Sequence, residues 1–109
     1  MADSLTQLRR GSLELAVLSL LHVEPRYGVE IVDELAGRAG LEASSGTVYP
    51  LLTRLKNSGL VKTTWQESTL GPPRKYYTLS ADGQKRLKNY RAAWQTLSST
   101  MTQLLKETR

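Results

Sequence analysis

Apolar residues near the start of the chain recur at helical spacing. Leu13, Ala16, Val17, Leu20 and Leu21 form one stripe over residues 13–23, with Ser12 placed to cap it, while Leu15 and Leu18 fall off the stripe. A helix apolar on most sides must be covered on most sides, and in so short a chain a second subunit is the expected remaining cover. Leu5 and Leu8 stand ahead of this helix, before Arg9-Arg10-Gly11. Glu24-Pro25-Arg26 breaks the pattern. A second helix is then expected from Tyr27 to Ala39, with Gly28, Val32, Leu35, Ala36 and Ala39 inward and Gly37 and Gly40 weakening its end. In a third helix Val48, Leu51, Leu52 and Leu55 fall at i, i+3, i+4 and i+7 and share one face. Thr47, Tyr49, Pro50, Thr53, Arg54, Lys56 and Asn57 take the other face. Ser44 or Ser45 can cap its start, and Gly59 can adopt the left-handed conformation that ends it, with Leu60 folding back. Pro50 lacks an N–H and disfavours the α region at Tyr49, so the first turn is expected to be loose or bent.

After Gly59 the period shortens to 2. Val61, Thr63 and Trp65 alternate with Lys62, Thr64 and Gln66, and from Arg74 to Leu79 Tyr77 and Leu79 alternate with Tyr76 and Thr78. Ser68-Thr69-Leu70-Gly71-Pro72-Pro73 between them is expected to be a turn-rich loop and no strand. Ser80 then caps a last helix, with Asp82 near its positive end. Its residues Leu87, Tyr90, Trp94, Leu97, Met101 and Leu104 follow 3, 4, 3, 4 and 3 apart, a narrow seam. A helix of about 25 residues is about 38 Å long and outreaches a small domain, which favours a dimer seam over packing within one chain. The connection from Gly40 to Ala43 is slightly long for the tightest helix-turn-helix, but the order of elements fits that plan with a hairpin wing. The expected fold is mainly α with a small β-hairpin. Residues 1–79 make a winged helix-turn-helix with its N-terminal helix, and residues 80–109 make a C-terminal dimerisation helix.

Charge placement sharpens this. The net charge is +5, yet residues 1–44 carry four arginines against seven acids, and residues 45–91 carry nine Lys/Arg against two acids. A central basic block over residues 45–91 is the footprint of a polyanion-binding surface, with a solvated basic face as the plainer reading. Hydroxyls, a phenol, an amide and cations on one helix face suit phosphates and base edges, although a solvated amphipathic helix has the same pattern. The hydrophobic content of 39% allows only a modest core. There is no cysteine, so disulfides and thiolate metal sites are excluded and a reducing cytoplasm is expected. No apolar run approaches the roughly 18 residues of a membrane span. With one histidine, His22, which is expected to cap or pack, neither a zinc site nor a Ser–His–Asp triad has material. Glu30, Asp33 and Glu34 read as a solvated face turned to Arg26 or Arg38. No enzyme chemistry, cofactor or metal is expected.

Tyr27-Gly28-Val29-Glu30-Ile31, the run from Gly46 to Leu55 (Gly46-Thr47-Val48-Tyr49-Pro50-Leu51-Leu52-Thr53-Arg54-Leu55), Ser58-Gly59-Leu60-Val61, the run from Gly71 to Leu79 and Gly83 together resemble the PadR family of bacterial transcriptional regulators over residues 12–90. The single short C-terminal helix resembles the small, LmrR-like subfamily. The resemblance implies a homodimer that binds double-stranded DNA at an inverted-repeat operator and represses transcription, often of a detoxification or efflux gene. It implies Thr47, Tyr49 and Arg54 in the major groove and Tyr27 and the wing at the backbone. The candidate DNA contacts are therefore Tyr27, Ser44, Thr47, Tyr49, Arg54, Lys56, Arg74 and Lys75. The candidate dimer interface is Leu18, Leu87, Tyr90, Trp94, Leu97, Met101 and Leu104. Small members of the family hold flat aromatic molecules between tryptophans of the two C-terminal helices. The resemblance puts Trp94 at that position, with Val17 and Leu13 as candidate lining, while Trp94 as a plain anchor of the dimer core remains open. A winged helix that docks a partner protein is the alternative function, and large exposed apolar residues on the docking face would mark it.

Overall fold

The structure, a computed structural model, describes residues 2–108. These form α1 (Ala2–Arg9), α2 (Ser12–Val23), β1 (Arg26–Tyr27), α3 (Gly28–Ala36), α4 (Ser45–Asn57), β2 (Val61–Ser68), β3 (Gly71–Leu79) and α5 (Ala81–Glu107). The sheet is antiparallel, in the order β1-β3-β2. This is the expected winged helix-turn-helix with a long last helix.

α2 lies at the centre because its apolar residues leave it almost no polar side. Val17 and Leu18 are fully buried, and Leu13, Leu20 and Leu21 are nearly so. The cover comes from Ile31 and Leu35 of α3, from Val48, Leu51, Leu52 and Leu55 of α4, from Val61 and Tyr77 of the sheet and from Leu87 of α5. The chain itself therefore supplies most of the cover expected from a second subunit. Leu18, expected at a dimer interface, is interior, and so is Leu87.

Several boundaries differ from the sequence reading, each for a physical reason. Leu5 and Leu8 belong to a helix, α1, separated from α2 by Gly11 in the left-handed conformation at φ 86°. Ser12 is consequently the first helical residue rather than the cap. α3 stops at Ala36, with Gly37 as its C-cap, and its buried residues are Ile31 and Leu35. Ala36 and Ala39, expected inside, are exposed. The expectation that a serine hydroxyl caps α4 also fails: Ser44 receives the Thr47 and Val48 N–H groups on its backbone carbonyl, at 2.9 and 3.0 Å. Pro50 is accommodated inside the helix at an exposed position, and Gly46, whose carbonyl it cannot satisfy, is an exposed residue too. His22 neither caps nor packs, and its Nδ1 lies 2.9 Å from Oε1 of Gln84 at the surface. Glu34 does pair with Arg38 (3.1 Å) and reach Arg26 (4.0 Å), whereas Glu30 accepts the Tyr27 N–H at 3.1 Å and so closes the first turn of α3.

The expected loop from Ser68 to Pro73 shrinks to Thr69 and Leu70, because Ser68 pairs with Gly71 and both strands run to the tip. Pro72 and Pro73 are tolerated there because they face Glu67 across a register irregularity between Gln66 and Ser68, where regular ladder bonds lapse. β1 covers β3 only at Tyr76 and Tyr77, so the proline stretch has no neighbour on that side.

The chain's long axis measures 57 Å against 31 and 21 Å, and its radius of gyration of 15.7 Å exceeds the roughly 13 Å of a compact chain this size. The excess comes from α5. Beyond Leu87 and the half-buried Tyr90, its apolar residues are open: Trp94, Leu97, Met101, Leu104 and Leu105.

α4 ends as its sequence indicates. Gly59, at φ 77°, donates to the Lys56 carbonyl (3.0 Å), and Leu60 reaches back to that of Leu55 (2.9 Å) with its side chain buried. A Cβ at Gly59 would meet no atom, so the cost of a substitution there is conformational alone. Gly59→Ala is expected to lower stability by about 1–2 kcal/mol in urea unfolding, with the slope of the transition unchanged.

Candidate nucleic-acid interface

The core stripe of α4 fixes which of its residues meet solvent. With Val48, Leu51, Leu52 and Leu55 held inward, Thr47, Tyr49, Pro50, Thr53, Arg54, Lys56 and Asn57 are all exposed, as is Ser44 before the helix. One turn of this face carries hydroxyl donors and acceptors and the next carries two cations, the mix that reads base edges and phosphates.

Tyr49 is held more firmly than its surface position suggests. Its ring lies over the Cα of Gly28, where any Cβ would strike the ring carbon Cε1, and it stays 40% exposed. Burial first, and then the Tyr49 phenol, holds the Tyr77 hydroxyl above its usual pKa. Gly28 thus serves as the platform for Tyr49, a role that spacing along the chain does not reveal.

The wing presents two surfaces. Tyr27 and Tyr76, paired in register, meet edge to face at 5.4 Å, and the Arg74 guanidinium stacks 4.6 Å from the Tyr27 ring centre. On the other face Lys75 lies over Trp65 at 5.8 Å and near Tyr77 at 6.0 Å. Arg74 and Lys75 are adjacent in a strand, so they point to opposite faces of the wing. Arg74 shares the face of Tyr27, and Lys75 shares the face that continues into the core. Trp65 is 68% exposed and Leu70, at the tip, 96%. The sequence reading gave neither residue a role.

The effector assignment is corrected in part. Trp94 is half exposed and borders two open grooves of about 560 and 610 Å³. Leu15 and Ser12 line both, with Leu35 and Leu41 in the first and Tyr90, Leu97 and Met101 in the second. Val17 and Leu13 line neither groove, because they face the core of the chain. Among the described residues no cluster of three or more His, Asp or Glu could hold a metal, and no helix is long and apolar enough to cross a membrane.

A helix-turn-helix with an exposed polar second helix and a cationic hairpin beside it defines a winged-helix protein. Residues 17–89 match the model of the transcriptional regulator PadR-like family, and the chain belongs to that family. It is similar to the crystal structure of a PadR-like transcriptional regulator from Bacillus cereus strain ATCC 14579, with 34% identity over 91% of this chain and 96% of that one and a TM-score of 0.84. A PadR family regulator from Eggerthella lenta DSM 2243 is 36% identical over 95% and 90% of the two chains, also with a TM-score of 0.84. A PadR-like transcription factor from Bacteroides fragilis is 44% identical over 94% and 98%, with a TM-score of 0.75. The protein is thus a DNA-binding transcriptional regulator and not an enzyme.

The Gly28 platform generates a specific expectation. Gly28→Ala should leave the fold intact, since only the end of the Tyr49 ring must move, yet weaken specific DNA binding by about tenfold. In a double-mutant cycle with Tyr49→Ala the two losses should fail to add. Fluorescence anisotropy on a labelled duplex measures both.

Proposed function

We propose that the protein is a cytoplasmic homodimeric repressor of the small, LmrR-like kind, released from DNA by a planar aromatic molecule. Two copies join along α5, each α4 enters the major groove of one half of an inverted repeat, and the wings hold the flanking backbone. Half-sites then lie about 34 Å apart or at a multiple of it. Thr47, Tyr49 and Arg54 face the bases, while Ser44, Lys56, Tyr27, Arg74 and Lys75 hold the sugar-phosphate chain. The bound dimer covers the promoter and so blocks transcription.

The observation that carries this reading is the open row on α5. Trp94, Leu97, Met101, Leu104 and Leu105 are between 46 and 60% exposed on a helix that projects past its own domain. An apolar row of that length signals a partner, and a second copy offers the same row in return. Tyr90 begins the seam at the edge of the core. The groove of about 610 Å³ beside Trp94 has the size of a small-molecule site and is mostly apolar, with Arg10, Ser12, Ser98 and Thr102 among its lining, which suits a flat aromatic ligand. Such a ligand releases DNA if it favours a subunit angle at which the two α4 helices no longer match the groove spacing.

One observation favours a second reading, in which the wing docks a protein. Trp65 and Leu70 are exposed apolar residues on the wing, the kind a docking face displays. Lys75 over Trp65 keeps the same patch cationic, which suits DNA equally well.

Selection of bound duplexes from a random pool at two salt concentrations separates the readings. Enrichment of an inverted repeat, bound by a dimer in sedimentation and weakened steeply by salt, is the expected result. Lys75→Ala should then lower the salt slope by about 1. No enrichment at low salt would leave the protein-docking reading standing. In a Trp65→Phe background, quenching of Trp94 by planar aromatic compounds should accompany release of the selected duplex. Flat fluorescence across such a panel would remove the ligand from the mechanism.

A further inference from the structure

The end of α4 and the start of α5 meet at a single residue. α4 closes with a turn in which the N–H groups of Gly59 and Leu60 satisfy carbonyls of their own helix, which leaves the carbonyls of Gly59 and Leu60 facing away. Both are taken by Ser80, the N-cap of α5. Its hydroxyl donates to the Gly59 carbonyl at 2.6 Å, and its N–H donates to the Leu60 carbonyl at 3.1 Å. The same hydroxyl accepts the Gly83 N–H at 3.0 Å, and the Ser80 carbonyl accepts that of Gln84 at 3.0 Å. Ser80 is 8% exposed and is the one polar residue buried among the described residues. Gly83 lies so close that a Cβ there would collide with the Leu60 carbonyl. Val61 pairs with Leu79 immediately beyond, so the base of the wing is fixed in the same knot.

An N-cap serine needs only to accept a hydrogen bond. Here the hydroxyl also donates to the other helix, and that second bond does nothing for the cap. Besides the packing of Leu87 and Tyr90 on the core, α5 makes two further side-chain hydrogen bonds to the domain among the described residues, His22 to Gln84 at 2.9 Å and Arg86 to Glu14 at 3.1 Å. The first is exposed; the second, like the Ser80–Gly59 bond, is part-buried, but it depends on an Arg86 side chain that is 41% exposed, against 8% for Ser80.

We propose that Ser80 is a positioning residue for operator recognition: it locks the recognition helix α4 to the dimer helix α5, so that the dimer accepts only one spacing of half-sites. This rests on the dimeric reading above. Each base pair added between half-sites turns the second by about 34° around the duplex. A stiff joint converts that rotation into lost contacts, whereas a loose joint lets each α4 follow its own half-site.

The test uses the inverted repeat selected by the full-length protein, with the spacer at its selected length and lengthened by one and by two base pairs. The wild-type protein and Ser80→Thr, which keeps the hydroxyl, should each lose at least about tenfold in affinity when the spacing changes. Ser80→Asp keeps an acceptor for the Gly83 N–H but has no donor for the Gly59 carbonyl. It and Ser80→Ala should bind the three spacings within about threefold of one another while remaining helical dimers. The chain contains no cysteine, so Asn57→Cys can carry a spin label at the end of α4 without interference. In the DNA-free dimer the label-to-label distance distribution should be narrow in the wild-type background and broadened by Ser80→Asp.

A Ser80→Asp protein with the wild-type spacing profile and an unbroadened distribution would overturn the assignment and leave Ser80 as a cap alone. Failure of Ser80→Asp to fold as a dimer would overturn it too, since the residue would then be a requirement of folding. If the wild-type protein selects no inverted repeat, the dimeric reading fails and this assignment falls with it. If the repeat is selected and only the spacing profile is insensitive to Ser80, the dimeric reading stands.

Discussion

The fold depends on the need to surround α2. A twelve-residue helix with Leu13, Val17, Leu18, Leu20 and Leu21 buried needs cover over most of its circumference, so the neighbouring elements act as walls around it and leave open the side of Ser12, Leu15 and Val23. α3 and α4 contribute apolar stripes from their inner sides, the sheet contributes Val61 and Tyr77, and α5 contributes Leu87. The candidate functional surface follows from this packing. Because Val48, Leu51, Leu52 and Leu55 of α4 are committed to the common core, the helix has one orientation open to it, and its hydroxyls and cations are turned outward as a consequence of packing.

The parts legible in the sequence were those governed by local periodicity. The 3.6-residue stripe of α4, its termination at Gly59 and Leu60, the alternation in the wing and the Ser80 cap all come from contacts within a few residues. The same logic fails where a contact joins distant segments. β1 is two residues long and exists only because Arg26 and Tyr27 find Tyr77 and Tyr76. The Gly28 platform needs Tyr49 from another helix. Leu18 lies off the stripe of its own helix and was assigned to a partner, yet the chain folds back to cover it. Pro72 and Pro73 argued for a loop, and only the register of the opposite strand shows that a bulge lets them stay in β3.

The candidate DNA surface was legible in its residues but not in its layout. Alternation within β3 sends Arg74 toward Tyr27 and Lys75 toward Trp65, so each wing cation rests on an aromatic ring of its own face. Stacking restrains both side chains before any anion arrives, and less freedom is then lost on binding. Three of the acids before residue 45 are drawn into pairing within the chain, with Glu30 closing α3, Glu34 holding Arg38 and Glu14 holding the distant Arg86. Neither Arg74 nor Lys75 has an acidic partner among the described ion pairs.

Pro72 and Pro73 have one more effect, on how the wing behaves toward other copies. A projecting hairpin tipped with Leu70 and carrying Trp65 offers open strand edges and apolar side chains, the combination from which intermolecular sheets grow. Two successive residues without an N–H cannot donate on either edge of β3, so an incoming strand finds a gap in the ladder at the most exposed part of the sheet. The pair thereby makes the free edge of β3 near the tip a poor template for an added strand, and leaves β2 as the edge of the wing that still offers its backbone.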